Sequence, residues 1–471
     1  MAIPVPNDDP EKPWPNAVDF HKLGKFCPRS RTRQKYYFEP VDDRQKLSLL
    51  PATLLTLFGI LPSSSTLLPF VRWITFSNGI FHLVLGVVGF FAISAHSANS
   101  IYASMATVKG SVLVQSFSWA SYFVLDFRAN AVMLCFFVKR TACLRLFQQA
   151  QRLAPSFFPD RSTLRNKYNR WRRLALALGI LCLCLPLFWE FLSNIGSIIQ
   201  VAAPIDNRSK NNATFNQTTP SKTYLIPQPA YWGFFYFEVA AFCLAQLVIV
   251  FGVVLAVMLR SYLATMNASL SRLVNVHRNF LSIKASVTMT MSAQELQVEL
   301  NEVRTHQASI RLFCAELNSC FGYTFFTSHI LDQVSFMGFV AVVVVNLRGC
   351  EVPTLGWIFK FLSIAFFAGY SNLLLMPLAN VYDESSTTNL RAYQLSVMIF
   401  NCYPAESLDS KLHGTIYDIL CSSEPEDVVL RGARLITFKR SWFSAAMTFA
   451  VSFSVFAYEI SQRADLQAKG L

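Results

Sequence analysis

Residues 202–230 read AAPIDNRSKNNATFNQTTPSKTYLIPQPA, a short polar stretch between the third and fourth of seven apolar segments. It carries three glycosylation acceptors: Asn207 (with Ser209), Asn212 (with Thr214) and Asn216 (with Thr218). A glycan is added only on the luminal side of a membrane. An odd-numbered loop therefore faces outward, and the N-terminus faces the cytoplasm.

The rest of the chain supports that frame. Apolar residues make up 53% and charged residues 15% of 471, so much of the chain has to lie in lipid or in a very large core. A membrane-crossing helix needs ~20 mostly apolar residues. Such stretches lie near 73–95, 111–137, 174–200, 232–258, 320–345, 356–378 and 441–460. Lys and Arg test the orientation independently, because positive loops stay cytoplasmic. Outside the spans, 32 of them fall on the side of the N-terminus and 7 on the side of the acceptors. The fold expected is all-α, integral to the plasma membrane and multi-pass. It has seven transmembrane helices in inverted topology, N-terminus in and C-terminus out. A fourth sequon, Asn267-Ala268-Ser269, falls on the cytoplasmic side and is expected to be silent.

The net charge of +13 follows from this bias and from attraction to an anionic inner leaflet. Membrane lipid is the partner it implies, with no nucleic acid. The 11 cysteines contain no Cys-x-x-Cys pair and build no disulfide framework. Residues 1–46 are rich in Pro, Lys and Arg without an apolar run; they read as a disordered basic cytoplasmic tail with no signal peptide. Helical structure is expected from Leu47, ahead of a break at Gly59-Ile60-Leu61-Pro62, and six spans fall within 47–378.

The connection between the fourth and fifth spans, 259–319, is unusual. Ser292 with Glu295 makes a capping box, the start signal of a helix. Leu296, Leu300, Val303, Gln307, Ile310 and Cys314 then recur at intervals of four and three, a seam on one helical face. No proline or glycine intervenes before Gly322, so a helix over 292–345 is predicted, ~80 Å long at ~1.5 Å per residue. The projecting seam needs a partner, and the end of the fourth span, an extended sixth helix (380–402) and segment 406–422 are the candidates. Together they predict a helical cytoplasmic anchor from 259–319 and 379–440. An amphipathic helix lying on the inner leaflet is the alternative.

On the last span, within 441–471, Thr448, Ser452, Val455 and Glu459 are spaced 4, 3 and 4 and share one face. A carboxylate in a spanning segment is costly unless it meets water or a partner. Several copies around an axis would form a ring of Glu459 side chains that concentrates cations, with Val455 one turn inward as an apolar constriction. Small polar residues that simply let helices pack closely are the plain alternative.

These residues resemble the C-terminal motif of arthropod gustatory receptors, Thr-Tyr, five apolar residues and Gln-Phe. Ser452-Phe453, the five residues Ser454 to Tyr458, and Glu459-Ile460 occupy that frame. The stretch Arg434 to Trp442, with Thr437 and Arg440, is similar to the family's lead-in to its last helix. Gly59-Ile60-Leu61-Pro62 resembles its break before the first span. Asp383-Glu384-Ser385 resembles a turn of the sugar-receptor clade, and diffuse similarity runs from about residue 47 to the end. The resemblance implies a chemosensory subunit of a tetrameric, ligand-gated, non-selective cation channel in a sensory neuron. It would assemble as a homo- or hetero-tetramer with related subunits and need no cofactor. It places Glu459 at the pore constriction, where the family has Gln, with Ile460 among the pore-lining residues beside it. Four clustered carboxylates repel one another, so the current is expected to respond to external pH.

Family pockets open outward within the first six helices, which directs attention to the outer halves of those spans. Trp119, Tyr122 and Asp126 share a face of the second; Trp189 and Glu190 lie on the third, Tyr236 and Glu238 on the fourth, and Trp357 with Lys360 on the sixth. Aromatic rings stack on apolar sugar faces while convergent polar groups bind sugar hydroxyls, and these side chains could supply both, in keeping with the small tastant, such as a sugar, that the resemblance implies. Trp and Tyr also form an interfacial belt in most membrane proteins, and Asp126 could instead pair with Arg128.

Three rival functions are weaker. A G-protein-coupled receptor has its N-terminus outside, and the chain lacks Asp-Arg-Tyr after the third span and Asn-Pro-x-x-Tyr in the last. A secondary transporter often shows paired halves with matching broken helices, which seven dissimilar spans do not offer. An enzyme is least supported, with no His-Glu-x-x-His, Gly-x-Ser-x-Gly or P-loop and 7 histidines without metal-ligand spacing.

Overall fold

The computed structural model describes residues 47–62, 69–107, 112–202, 228–282, 292–346, 354–402, 410–424 and 426–468, all within the compact unit Val41–Leu471. The acceptors Asn207, Asn212 and Asn216 and the tail 1–46 lie outside these residues.

The chain enters through a short helix, α1 (Leu50–Leu57), with a proline in its first turn where the missing N–H costs nothing. Gly59 ends it at φ 74, with Ile60 N–H donating to Leu55 O (2.8 Å) and Gly59 N–H to Thr56 O (3.0 Å). Those two bonds are the Schellman pattern, which needs a left-handed residue at this point. A Cβ on Gly59 would sit 1.6 Å from Thr75 O and 2.7 Å from Gly79 N. The break seen in the sequence is therefore the place where α1 presses against the backbone of the next helix.

Seven further helices of 29 to 55 residues follow among the described residues, each containing one of the seven apolar segments. They are α2 (Pro69–Thr107), α3 (Val112–Phe157), α4 (Arg161–Ala202), α5 (Gln228–Ser282), α6 (Ala293–Asn346), α7 (Thr354–Cys402) and, after the short α8 (Ser410–Cys421), α9 (Arg440–Ala468). Among the described residues three stretches, Pro69–Ala92, Tyr236–Asn279 and Arg440–Ile460, are long and apolar enough to cross a membrane. The middle one is the axis of the fold: α5 packs on α2, α3, α4, α6 and α7, and Leu247 to Ala256 (Gly252 included) are buried throughout. Gly252 lets α6 approach, since a Cβ there would meet the Phe321 and Phe325 rings at 2.6 and 2.7 Å.

Segment 138–173, counted by its charge as a loop, is instead helical except at 158–160. The reason lies in a periodicity beyond the span. Cys143, Leu146, Ala150, Leu153 and Phe157 recur at three and four residues and all are buried, so α3 continues as an amphipathic helix.

Helix α6 begins at the capping box: Glu295 N–H donates to Ser292 Oγ (3.2 Å) and Ser292 N–H to Glu295 Oε2 (2.9 Å). Its seam Leu296, Leu300, Val303, Gln307, Ile310 and Cys314 is buried at every position. The partners are α3, α5, α8 and the segment after α8. Gln297 Nε2 donates to Thr415 Oγ1 (3.0 Å), Gln307 Nε2 to Ser423 Oγ (2.9 Å), and Asn318 Nδ2 to Val429 O (2.8 Å). Three ion pairs, Arg272–Glu299, Arg304–Asp418 and Arg311–Asp427 at 2.8, 2.7 and 2.5 Å, rim the seam. A two-stranded hairpin, β1 (Arg431–Gly432) and β2 (Ile436–Thr437), leads into α9. Ala433 and Arg434 take φ of 51 and 64 at its tip, and Ala433 N–H donates to Gly322 O (3.0 Å), which pins the hairpin to α6.

Candidate functional site

Arg128 of α3 is 1% exposed inside an apolar bundle. A charge so placed is tolerated only when paired and hydrogen-bonded. Its partner is Asp332 on α6, with Nε 2.6 Å from Oδ1, and Nη2 donates to Ser328 Oγ at 2.8 Å. Ser328 in turn donates to Asp332 Oδ2 (3.2 Å) from one helical turn away. The guanidinium carbon lies 5.8 Å from the centroid of the Phe242 ring on α5. Glu238 and Gln246, one turn on either side of Phe242, are also buried. The cluster thus joins α3, α5 and α6 at a depth where each helix is apolar around it.

This arrangement replaces the Asp126–Arg128 pairing that the sequence left open. Residues two apart on a helix point to different sides, and Asp126 is half-buried with its carbonyl accepting from Asn130 Nδ2 at 3.2 Å. Helix α2 reaches the same neighbourhood through Gly86, where a Cβ would lie 3.0 Å from Asn130 Oδ1 and 3.1 Å from Ala241 Cβ. Of the ligand-site candidates, Glu238 is buried one turn before Phe242, Asp126 is half-buried two residues before Arg128, and Tyr236 is 65% exposed. Trp119, Tyr122, Trp189, Glu190, Trp357 and Lys360 fall in α3, α4 and α7, with side chains outside the described ones. Arg128, Ser328 and Asp332 were not singled out as a site from sequence. The signal was there: Asp332 is the one acidic residue between 320 and 345, opposite a lone arginine in another apolar segment.

Directly beside the cluster rests α9. Ala450, 1% exposed, packs with Leu125 and Phe336, and Met447, Met337, Val340 and Phe242 close around them. Leu125 is one turn from Arg128 and Phe336 one turn from Asp332. Phe242 belongs to both groups. A change at the charged cluster therefore reaches α9 through side chains already in contact.

Apart from Ala450 and from Phe443, which packs with Phe438 and His329, α9 is mostly uncovered. Only 12% of its apolar window is buried, against 83% for α5. Thr448, Ser452, Val455 and Glu459 all face away from their own chain, and Ile460 is half-buried. The hydroxyls of Ser452 and Thr448 donate back to the carbonyls of Thr448 and Ser444 (both 3.0 Å), so this face carries no unmet donor. At the start of α9, Arg440 Nε is 2.8 Å from Asp383 Oδ2 on α7, and Lys439 Nζ lies 4.4 Å from the Tyr382 ring centroid. The neighbouring Glu384 ties α7 to α5: Arg260 is 3.6 Å away, and Asn267 Nδ2 donates to its carbonyl (3.0 Å). Asn267, the acceptor of the fourth sequon, is buried and also accepts from Thr388 (2.7 Å). Among the described residues no group of three or more His, Cys, Asp or Glu could hold a metal ion.

No family model matches the sequence, and no curated protein matches it. Solved structures do. The insect olfactory receptor OR5 from Machilis hrabei in complex with eugenol is similar over 87% of this chain and 97% of that chain, with a TM-score of 0.57 and 12% identity. The structure of the same receptor given without eugenol matches over the same shares with a TM-score of 0.53. At that identity the likeness is one of fold, and this all-α chain has the fold of an insect olfactory receptor.

Proposed function

We propose that the chain is a subunit of a chemosensory, ligand-gated cation channel of the plasma membrane, crossing seven times with its N-terminus inside. The observation that carries this reading is the uncovered face of α9. A helix whose own chain covers 12% of its apolar window needs lipid or other copies around it. Its file of Thr448, Ser452, Val455 and Glu459 suits neither lipid nor solvent alone. Four copies turned inward would place that file on a shared water path, with Glu459 as the cation-attracting ring and Val455 as the closure that dewets.

Ligand enters from the outer half of the bundle and meets the side of the cluster formed by Glu238, Phe242 and Asp126. Its binding energy can favour the open state only through contacts that differ between the two states. The Leu125, Phe242 and Phe336 packing against Ala450 supplies such contacts. A sugar or another small tastant is the ligand class, in line with the gustatory-receptor resemblance. A phenol of the eugenol type belongs in the same test panel because the neighbouring receptor was solved with it. With the α6 seam closed within its own chain, the outward faces of α6 and α8 form the cytoplasmic anchor that holds subunits together.

The test is current recording from receptor-null cells expressing the chain, alone and with related subunits, against sugars and small phenols. A ligand-evoked cation current is expected, abolished by Glu238→Ala without loss of surface protein. Labelled-ligand uptake without current would sink the channel reading in favour of a transporter. An epitope after Leu471 that antibody cannot reach on unpermeabilised cells would overturn the orientation.

A further inference from the structure

We propose that the first half of α4 is a binding site for the phosphate headgroup of an anionic phospholipid. The inference rests on the cytoplasmic placement of the α3–α4 turn given above. Arg161, Arg165, Lys167, Arg170, Arg172 and Arg173 stand on this helix, and no acidic residue follows them before Glu190. Elsewhere in the fold several arginines have carboxylate partners, among them Arg272 with Glu299, Arg304 with Asp418, Arg311 with Asp427 and Arg440 with Asp383. Among the described residues no carboxylate pairs with the α4 arginines. The nearest acid in sequence, Asp160, is spent on capping the helix, accepting from the backbone N–H groups of Thr163 (2.9 Å) and Ser162 (3.3 Å).

The direction in which these charges point is fixed from behind. Leu164, Tyr168, Trp171, Ala175 and Cys182 form the buried face, and Trp171 Nε1 donates to Ser261 Oγ of α5 at 3.4 Å. Arg161, Arg165, Arg170, Arg172 and Arg173 are consequently exposed, fanned over the side that this face leaves free. On that same side the helix turns apolar within one turn: Leu176, Ile180 and Leu181 are 45–49% exposed. A soluble polyanion has no use for such a surface, whereas a lipid presents a phosphate and an acyl chain in that order. Arg170 and Arg173, one turn apart, stand at the change, and Arg172 flanks them on the other side of Arg173. Arg161, 12 residues earlier, is ~18 Å up the helix and beyond the ~8 Å screening length at physiological salt, so the three at the boundary carry the binding. Guanidinium forks suit phosphate oxygens, which they grip in pairs. Burial, and then the neighbouring Arg170, lower the Lys167 ammonium below its ordinary value; an anion at this point relieves that repulsion.

The test uses the full chain purified into nanodiscs of phosphatidylcholine, of phosphatidylcholine with phosphatidylserine, and of phosphatidylcholine with phosphatidylinositol bisphosphate, with retained lipid counted by native mass spectrometry. Preferential retention of anionic lipid is expected from the wild type. At about fivefold per arginine near an anionic surface, Arg170→Gln, Arg172→Gln and Arg173→Gln together should weaken it about a hundredfold. The matched triple Arg272→Gln, Arg304→Gln and Arg311→Gln should leave it intact. Equal retention of neutral and anionic lipid by the wild type overturns the site, as does equal loss in both triples. Displacement of the lipid by soluble inositol phosphate would assign the site to a free anion and overturn the lipid assignment. Labelling of Ser162→Cys by an impermeant maleimide decides the orientation separately: reaction on intact cells would refute that reading while the nanodisc result stands by itself.

Discussion

Removing one member of the Arg128–Asp332 pair is the most demanding perturbation the structure offers. Both side chains are at most 5% exposed, so either partner left alone is a charge in an apolar bundle. Breaking such a pair costs ~3–5 kcal/mol, whereas replacing both partners with apolar residues of similar volume is often close to neutral. Asp332→Leu removes the carboxylate that faces the Arg128 guanidinium and leaves it the hydrogen bond to Ser328; Arg128→Met removes the cation that faces the Asp332 carboxylate. For a chain longer than 250 residues, with about 2 °C or less lost per kcal/mol, each single variant should melt lower by up to roughly 6–10 °C. The double variant Arg128→Met with Asp332→Leu should recover most of that loss. Fluorescence-detected size exclusion of detergent-solubilised protein, heated at one fixed rate, measures all four forms. Additive losses in the double variant would refute the reasoning, because the cost would then come from packing and not from an orphaned charge. A double variant that melts normally yet carries no ligand-evoked current would identify the pair as part of the switch as well as of the fold.

Gly59→Ala should abolish surface expression, because its φ of 74 and the Thr75 carbonyl 1.6 Å from the added Cβ leave no relaxed alternative; normal expression would contradict the packing of α1 on α2. Asp383→Asn and Arg440→Gln should each change melting by less than ~1 kcal/mol, since the pair is partly exposed, yet shift the ligand concentration for half-maximal current. Swapping the two charges should restore it, and no shift in any of the three would remove the pair from gating. Asn207→Gln, Asn212→Gln and Asn216→Gln together should collapse the protein to its deglycosylated mobility, whereas Asn267→Gln should leave glycosylation unchanged. Hydrogen bonds from Ser292 hold the Glu295 carboxyl below its ordinary value. The folded pKa is the depressed one, so the capping box supports α6 above the ordinary glutamate pKa and loosens as pH falls through the folded value. The protection of the Leu296 amide against exchange, relative to its intrinsic rate at each pH, should fall in that window and not above it.

What could be read from sequence was whatever repeats locally. The seven apolar segments, the capping box at Ser292 and the seam from Leu296 to Cys314 are patterns within one helix, and the helix they describe is the one observed. The continuation of α3 to Phe157 was equally legible in its three-and-four spacing, but its arginines drew the eye to charge. The Arg128 partner was harder. Helix geometry rules out Asp126, yet only the packing of two helices 200 residues apart in sequence brings Ser328 and Asp332 to it. The hairpin tip is the opposite case. Ala433 and Arg434 hold positive φ without a glycine, so no residue type announces the turn; the bond from Ala433 to Gly322 imposes it.

The separation between Arg128 and its carboxylate also sets an order of events in the making of the protein. At ~5–20 residues per second, a ribosome that has released α3 needs ~10–40 s more to deliver Asp332. If α3 is a span, as proposed, the translocon during that interval holds a helix with an unanswered cation in its middle. The second apolar segment must then wait at the channel wall or sit crookedly in the bilayer until α6 arrives. Any mutation that slows or reroutes α6 would strand α3 before the protein had ever been folded.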